Sequence, residues 1–134
     1  MERSLEQIKK LDKLDPCSDS EAICKVLEEL GEFTAEVNKI TGRKHTTDTS
    51  EQIQANLLEE CADTIQNMIL VMSRFGITLP ILETEILRKD RKWFKKMYIK
   101  GTANRSDFLD IFGEELSQDL IDQWNREEDA KKVV

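Results

Sequence analysis

The stretch ANLLEECADTIQNMIL, residues 55–70, forms the centre of the most hydrophobic helical segment in the chain. Its apolar residues recur at spacings of three and four, the periodicity of an amphipathic α-helix. The arc that they cover is wide and comprises Ile53, Leu57, Leu58, Cys61, Ala62, Ile65, Met68, Ile69, Met72 and Phe75. Because one chain cannot cover so wide an arc alone, we expect a homodimer or a homotetramer.

On both sides of this helix, apolar periodicity and turn residues predict further helices. Gly42, Gly76 and Gly101 are stop signals between them, and Gly113 is a candidate break in the last segment. The predicted helices cover residues 3–14, 20–40, 50–75, 80–100 and 104–130. No segment shows the alternation of a strand, so the sequence predicts an all-α bundle of four to five helices.

The composition supports a helical protein and argues against two classes of partner. Charged residues make up 35% of the 134 residues, with only 5 Gly and 2 Pro, a balance that favours helix. The net charge of −7 argues against binding to a nucleic acid polymer, which needs Lys and Arg to replace counterions. No apolar run of membrane-spanning length is present, so no membrane partner is expected. The three cysteines form no CxxC pair, which favours a reduced, cytoplasmic protein.

Two acidic turns lie within otherwise apolar helices, EELGE at 28–32 and EECAD at 59–63. Each contains two carboxylates three residues apart, which project from one helix face. The pairs are Glu29 and Glu32 on the first helix, and Glu60 and Asp63 on the second. If the two helices form an antiparallel αα-hairpin, the four carboxylates converge on one pocket.

A solvated acidic face is the alternative interpretation, and it is the one that we adopt for Glu28 and Glu36. The second pair, however, lies on the most apolar helix of the chain, where a solvated face is hardest to accommodate. Oxygen ligands without His or Cys suit Mg²⁺, with Mn²⁺ as a substitute, rather than zinc. Since Mg²⁺ commonly acts together with substrate phosphates, the pocket indicates phosphoryl chemistry.

The motif Glu29-x-x-Glu32, followed by Glu60-x-x-Asp63 on the next helix, resembles the signature of the MazG-like all-α nucleoside triphosphate pyrophosphohydrolases. That superfamily also includes the dimeric dUTPases, the dCTP pyrophosphatases and the phosphoribosyl-ATP pyrophosphohydrolases. The resemblance implies an oligomeric helical bundle in which these four acids are both the metal ligands and the catalytic residues. It also implies that Mg²⁺ is the cofactor and that a (d)NTP is hydrolysed to (d)NMP and pyrophosphate.

The resemblance covers about residues 18–98, so the core is expected to span 1–100. Residues 101–134 are then a C-terminal helical extension, either in the same domain or as an oligomer arm. The segment DRKWFKKM at 90–97 is similar to a basic stretch of these enzymes, and Trp93 within it is interpreted as a core residue. The residues expected to bind the substrate are Lys92, Lys95, Lys96 and Asn67.

Asn67 lies one turn beyond Asp63, where its amide suits either a base edge or the orientation of a ligand carboxylate. Two other functions stay open. One is a phosphoribosyl-ATP pyrophosphohydrolase, although the basic stretch at 90–97 favours a (d)NTP. The other is a non-catalytic helical interaction or regulatory module that uses the helix at 104–128 as an arm.

Overall fold

The structure, a computed structural model, describes residues 1–133. These residues contain six α-helices. They are α1 (Glu2–Leu14), α2 (Asp19–Ile40), α3 (Ser50–Arg74), α4 (Leu79–Ile99), α5 (Arg105–Phe112) and α6 (Gln118–Lys131). No strand occurs among these residues, so the predicted all-α class is confirmed. The predicted count of four to five helices is corrected to six, because the last predicted segment contains two.

The break in that segment lies at Gly113. α5 ends at Phe112, and Gly113 follows with a φ of 70°, a left-handed conformation that glycine adopts without steric cost. The chain becomes helical again after Ser117, whose hydroxyl accepts a hydrogen bond from the backbone N–H of Leu120 at 3.2 Å. This side-chain cap satisfies one of the unpaired N–H groups at the start of α6.

The helices fall into two compact units, one from Met1 to Leu79 and one from Pro80 onward. The first unit contains α1, α2 and α3, while α4 from Pro80 onward belongs to the second unit with α5 and α6. α4 therefore groups with the C-terminal helices, although the sequence predicted a core that reaches residue 100. The reason is the packing of α4 side chains into the aromatic core of the second unit.

In the first unit, α2 and α3 run antiparallel, because Asp19 at the start of α2 pairs with Arg74 at the end of α3. The Arg74 guanidinium also donates to both carboxylate oxygens of Asp12, at 3.0 and 2.6 Å, and to the carbonyl oxygen of Cys17 at 2.9 Å. These bonds tie the end of α3 to the end of α1 and the start of α2. The hydrogen bonds from Arg74 hold the pKa of the Asp12 carboxyl below its usual value.

The packing of α2 buries polar as well as apolar side chains. Ala22, Glu29 and Glu36 are the buried residues of α2, and Thr64 and Ile69 are those of α3. A small apolar cluster of Leu5, Ile8 and Ile69 joins α1 to α3. The large apolar side chains left exposed on α2 and α3 of the single chain include Ile23, Leu27, Leu30, Leu58, Ile65 and Met68.

The core of the second unit is aromatic. Phe94 of α4 is 1% exposed and meets Phe108 of α5 edge to face, with ring centroids 5.1 Å apart. Trp124 of α6 packs against Phe94, with ring centroids 6.4 Å apart. Trp93 does not enter this core, contrary to our interpretation of the sequence. It is 66% exposed, since its neighbour Phe94 occupies the inward position.

Among the described residues, no single helix is long and apolar enough to cross a membrane. Only when α3 and α4 are taken together, as a broken span, do they have the length and composition of a membrane-spanning segment.

Candidate metal centre

Three carboxylates converge where α2 faces α3. Glu29 comes from α2, and Glu60 and Asp63 come from α3; one oxygen of each lies within 4.8 Å of the other two. Glu60 and Asp63 are three residues apart, so the α-helix itself projects both from one face. The antiparallel course of α2 then brings Glu29 to the same level.

Two of these carboxylates have a buried oxygen that lacks a partner. The Oε2 atoms of Glu29 and Glu60 are inaccessible to solvent and accept no hydrogen bond from any described residue. Burying a carboxylate oxygen without a donor or a cation costs several kcal/mol in order of magnitude. These two Oε2 atoms are therefore suited to a proton or a cation, which no described residue supplies to them.

The titration of Glu60 reflects this crowding. Burial raises the pKa of the Glu60 carboxyl, and the neighbouring carboxyl of Glu32 raises it further. The negative charges of Glu29 and Asp63 act in the same direction. Three neighbouring carboxylates therefore lie close enough to Glu60 to oppose its negative charge.

Glu32 has a different position from the other three predicted ligands. It is exposed, it interacts with Glu60, and it lies outside the set of three oxygens within 4.8 Å. The structure thus brings Glu29, Glu60 and Asp63 into one cluster, with Glu32 beside it on the more accessible side. The role of Glu32 as a fourth ligand stays a prediction.

Asn67 lies on α3 one turn beyond Asp63. Its Nδ2 donates to the backbone carbonyl oxygen of Asp63 at 2.8 Å, so within the described chain the amide contacts the backbone and no carboxylate. The residue also lines a cleft of about 340 Å³ whose apolar wall includes Ile8 and Leu70. Its contact with substrate stays a prediction.

The three lysines predicted to bind substrate belong to the second unit and have different surroundings. Lys95 forms an ion pair with Glu127 and approaches Glu128 at 4.0 Å. Lys92 and Lys96 are exposed. A cleft of about 500 Å³ is lined by two of the three, Lys92 and Lys95, together with Arg88, Arg91, Phe108, Leu120, Gln123, Trp124 and Glu127.

Two further features of α2 were not predicted. Glu36, which we interpreted as solvated, is buried; its Oε1 accepts a hydrogen bond from Lys39 at 2.8 Å, while its Oε2 has no partner among the described residues. Glu29, in turn, pairs through Oε1 with Lys25 at 2.8 Å. The spacing of opposite charges at i, i+3 and i, i+4 was the available signal for both lysines.

The residues of the cluster fit a hard divalent cation. All the converging atoms are carboxylate oxygens, the ligand type that Mg²⁺ and Mn²⁺ prefer. Together with this convergence, the buried Oε2 atoms of Glu29 and Glu60 that have no partner among the described residues are suited to accept a cation.

Comparisons of the chain with protein-family models, with curated proteins and with solved structures find no match. The resemblance to the MazG-like enzymes therefore depends on the acidic and basic motifs alone, and the function inferred from it is a proposal.

Proposed function

We propose that the protein is a Mg²⁺-dependent nucleotide pyrophosphohydrolase that cleaves a (d)NTP to the (d)NMP and pyrophosphate. The observation that carries this proposal is the pair of buried, unpartnered oxygens on Glu29 and Glu60. Buried carboxylate oxygens that no cation of the described chain contacts are suited to a divalent ion, and such an ion commonly acts together with a phosphate.

In this proposal Glu29, Glu60 and Asp63 hold the ion, and Glu32 completes the ligand set from the exposed side. The ion, when bound, offsets the negative charge of the triphosphate and lowers the pKa of a bound water. The chain itself supplies the fixed positions of the carboxylates on two packed helices. Burial and the neighbouring carboxylates raise the pKa of Glu60, so a bound cation would offset a negative charge that the folded chain disfavours.

The proposed substrate class rests on the resemblance of the basic stretch to that of the MazG-like enzymes. Lys92, Lys95 and Lys96 supply point charges suited to phosphate, and Asn67 supplies an amide suited to the nucleoside. The pattern at 90–97 favours a (d)NTP over phosphoribosyl-ATP. The unpaired thiols of the described cysteines suit a cytoplasmic location.

We further propose that the enzyme is a homodimer or a homotetramer. Leu27 and Leu30 of α2 and Leu58 of α3 are exposed in the single chain, and Leu58 is 71% exposed. Apolar surface of this kind on a bundle helix is suited to an equivalent helix of a second copy. Sedimentation equilibrium tests the proposal, and a monomer at all concentrations contradicts it.

The activity is tested by pyrophosphate release from a full panel of ribo- and deoxyribonucleoside triphosphates, with phosphoribosyl-ATP included. With Mg²⁺ or Mn²⁺, the wild-type chain is expected to hydrolyse at least one member of the panel. Glu60→Gln and Asp63→Asn are each expected to lower the rate by at least about 100-fold, because each removes a ligand charge.

The matched control is Glu59→Gln. It removes the same charge from the same helix, but Glu59 is exposed and outside the cluster, so the rate should stay within about twofold. If no triphosphate is hydrolysed with either ion, the enzyme proposal fails and the interaction module becomes the better account. Hydrolysis of phosphoribosyl-ATP alone would instead replace the substrate class.

A further inference from the structure

Lys25 is the cation that the chain itself places against the acidic cluster. Its Nζ lies 2.8 Å from Oε1 of Glu29 and 3.3 Å from Oε1 of Glu28. Neither Glu60 nor Asp63 forms an ion pair with another described residue, so within the cluster only Glu29 has a basic partner.

The ion pair between Lys25 and Glu29 is asymmetric in its exposure. The Lys25 side chain is 46% exposed, whereas the Glu29 side chain is 6% exposed. An ordinary i, i+4 pair has both ends in solvent and adds a few tenths of a kcal/mol to the helix. Here the ammonium reaches from solvent onto a buried carboxylate of the candidate metal centre, and the second oxygen of that carboxylate is buried without a partner.

We infer that Lys25 is the resident counter-cation of this centre, that a divalent ion displaces it from Glu29, and that the released ammonium then binds a phosphate of the substrate. The inference rests on the function proposed above. It adds a positioning and substrate-binding residue that the acidic and basic motifs do not include.

Displacement follows from charge and geometry. A divalent ion that shares the Glu29 carboxylate with an ammonium group repels it across a few ångströms of partly buried space. The ammonium group has an alternative position on Glu28, which is exposed and already within 3.3 Å. A lysine side chain is flexible and carries three donors, so it can leave Glu29 while its anchor on α2 stays in place.

Binding to phosphate follows from the same position. A phosphate bound to an ion held by Glu29 would be near the side chain of Lys25, which contacts the same carboxylate. An ammonium group is a suitable point charge for a phosphate oxygen. Lys25 is therefore expected to weaken binding of the free ion and to strengthen binding of the nucleotide.

Lys39 provides a matched comparison on the same helix. Its Nζ pairs with the buried Glu36 at 2.8 Å, and also with Asp48 at 3.1 Å. The Lys39 side chain is 15% exposed and has carboxylates on two sides, and Glu36 is outside the three-oxygen cluster. Removing Lys39 changes the net charge by the same amount without removing a cation from the centre.

The experiment measures the binding of Mn²⁺ alone to the metal-free protein by electron paramagnetic resonance, without turnover. Lys25→Met is expected to bind Mn²⁺ about 5- to 10-fold more tightly than wild type, since the competing cation is gone. Lys25→Arg, which keeps a cation, and Lys39→Met should each stay within about twofold of wild type. A non-hydrolysable triphosphate with saturating Mn²⁺ should bind Lys25→Met about 10-fold more weakly.

Equal or weaker Mn²⁺ binding by Lys25→Met would overturn the displacement, and so would an equal gain in Lys39→Met. Unchanged triphosphate affinity in Lys25→Met would overturn the phosphate contact. Absence of Mn²⁺ binding by the wild-type chain would instead remove the metal centre and the proposed function with it. If Lys25→Met does not fold by circular dichroism, Lys25→Gln, which keeps a polar head group, is subject to the same criteria.

Discussion

The second unit fills its interior with Phe94, Phe108 and Trp124, whereas α2 of the first unit turns Glu29 and Glu36 inward. Both units pair surface charges and leave some apolar side chains exposed. Arg91 pairs with Glu114 in the second unit, and Arg74 pairs with Asp12 in the first. Leu58 of the first unit is 71% exposed, and Trp93 of the second is 66% exposed.

The two units therefore differ in the kind of side chain that their interiors bury. An aromatic core with paired surface charges has its polar groups satisfied within the chain. The helix pair of the first unit instead buries Oε2 atoms of Glu29, Glu36 and Glu60 that no described residue satisfies. The interior of the first unit therefore offers acceptor oxygens to a ligand, and the aromatic core of the second unit does not.

The largest expected effect concerns the aromatic core. Phe94→Ala should lower the free energy of unfolding by about 3–5 kcal/mol, because it leaves a cavity where Phe94 meets Phe108. Urea denaturation followed by tryptophan fluorescence measures the loss. Leu14→Ala in the first unit is the control, since the Leu14 side chain is 80% exposed and should change the same quantity by less than about 0.5 kcal/mol. At micromolar protein, Leu58→Ala should cost more than this control because the proposed oligomer covers Leu58, and an equal cost would contradict that coverage.

The next effect separates stability from function in the first unit. Glu60→Gln, which should abolish metal binding, is expected to raise the melting temperature of the metal-free protein by roughly 3 °C. The reason is that glutamine removes one of the crowded charges around Glu60 without changing its size. Differential scanning calorimetry in EDTA measures the shift, with Glu59→Gln as the control. A lower melting temperature for Glu60→Gln would mean that the carboxylates stabilise each other through shared protons.

The pH dependence of the same pair of proteins sharpens this prediction. The folded state raises the pKa of Glu60 above its ordinary value of 4.5, so just above that pH the folded chain keeps a proton that the unfolded chain has lost. Linkage then requires the contribution of Glu60 to stability to be fully present below pH 4.5 and to fall as the pH rises through the raised pKa. Wild type should therefore lose stability relative to Glu60→Gln over this window. If urea denaturation gave the same difference in stability between the two proteins at every pH from 4 to 8, the raised pKa of Glu60 would be contradicted.

The smallest expected effects come from two glycines in different units. Gly113→Ala should destabilise by about 1 kcal/mol, because its φ of 70° is strained for an L-residue. Gly31→Ala should stabilise by up to about 1 kcal/mol, because Gly31 lies inside α2 and nothing approaches within 4 Å of the added Cβ. Thermal unfolding of the metal-free protein measures both. Destabilisation by Gly31→Ala would indicate that this face of α2 is closely packed against another copy.

Much of the candidate site was predictable because it depends on local spacing. The i, i+3 separation places Glu60 and Asp63 on one helix face before any tertiary contact is considered. The apolar surroundings of that pair indicated that its face is turned toward another helix. The convergence of Glu29 with them required only the antiparallel hairpin that short connections favour.

The remaining features depend on the rotation of each helix about its own axis. Neighbouring helix positions differ by about 100° around the axis, so packing decides which of two adjacent side chains is buried. Trp93 is exposed while Phe94 is fully buried, and both were equally suitable for a core. On α2, the rotation of the helix buries Glu36 and leaves Glu28 exposed, although both belong to one acidic stretch of sequence.

The sequence by itself determined the all-α class, the positions of the helices and the spacing of the acidic pairs, since periodicity, caps and glycines act over a few residues. The tertiary structure alone decided that α4 groups with α5 and α6, that Glu32 lies outside the three-oxygen cluster, and that Lys25 reaches Glu29. These features depend on how helix faces meet. That meeting depends on the summed packing of many side chains and is not encoded in any one short motif.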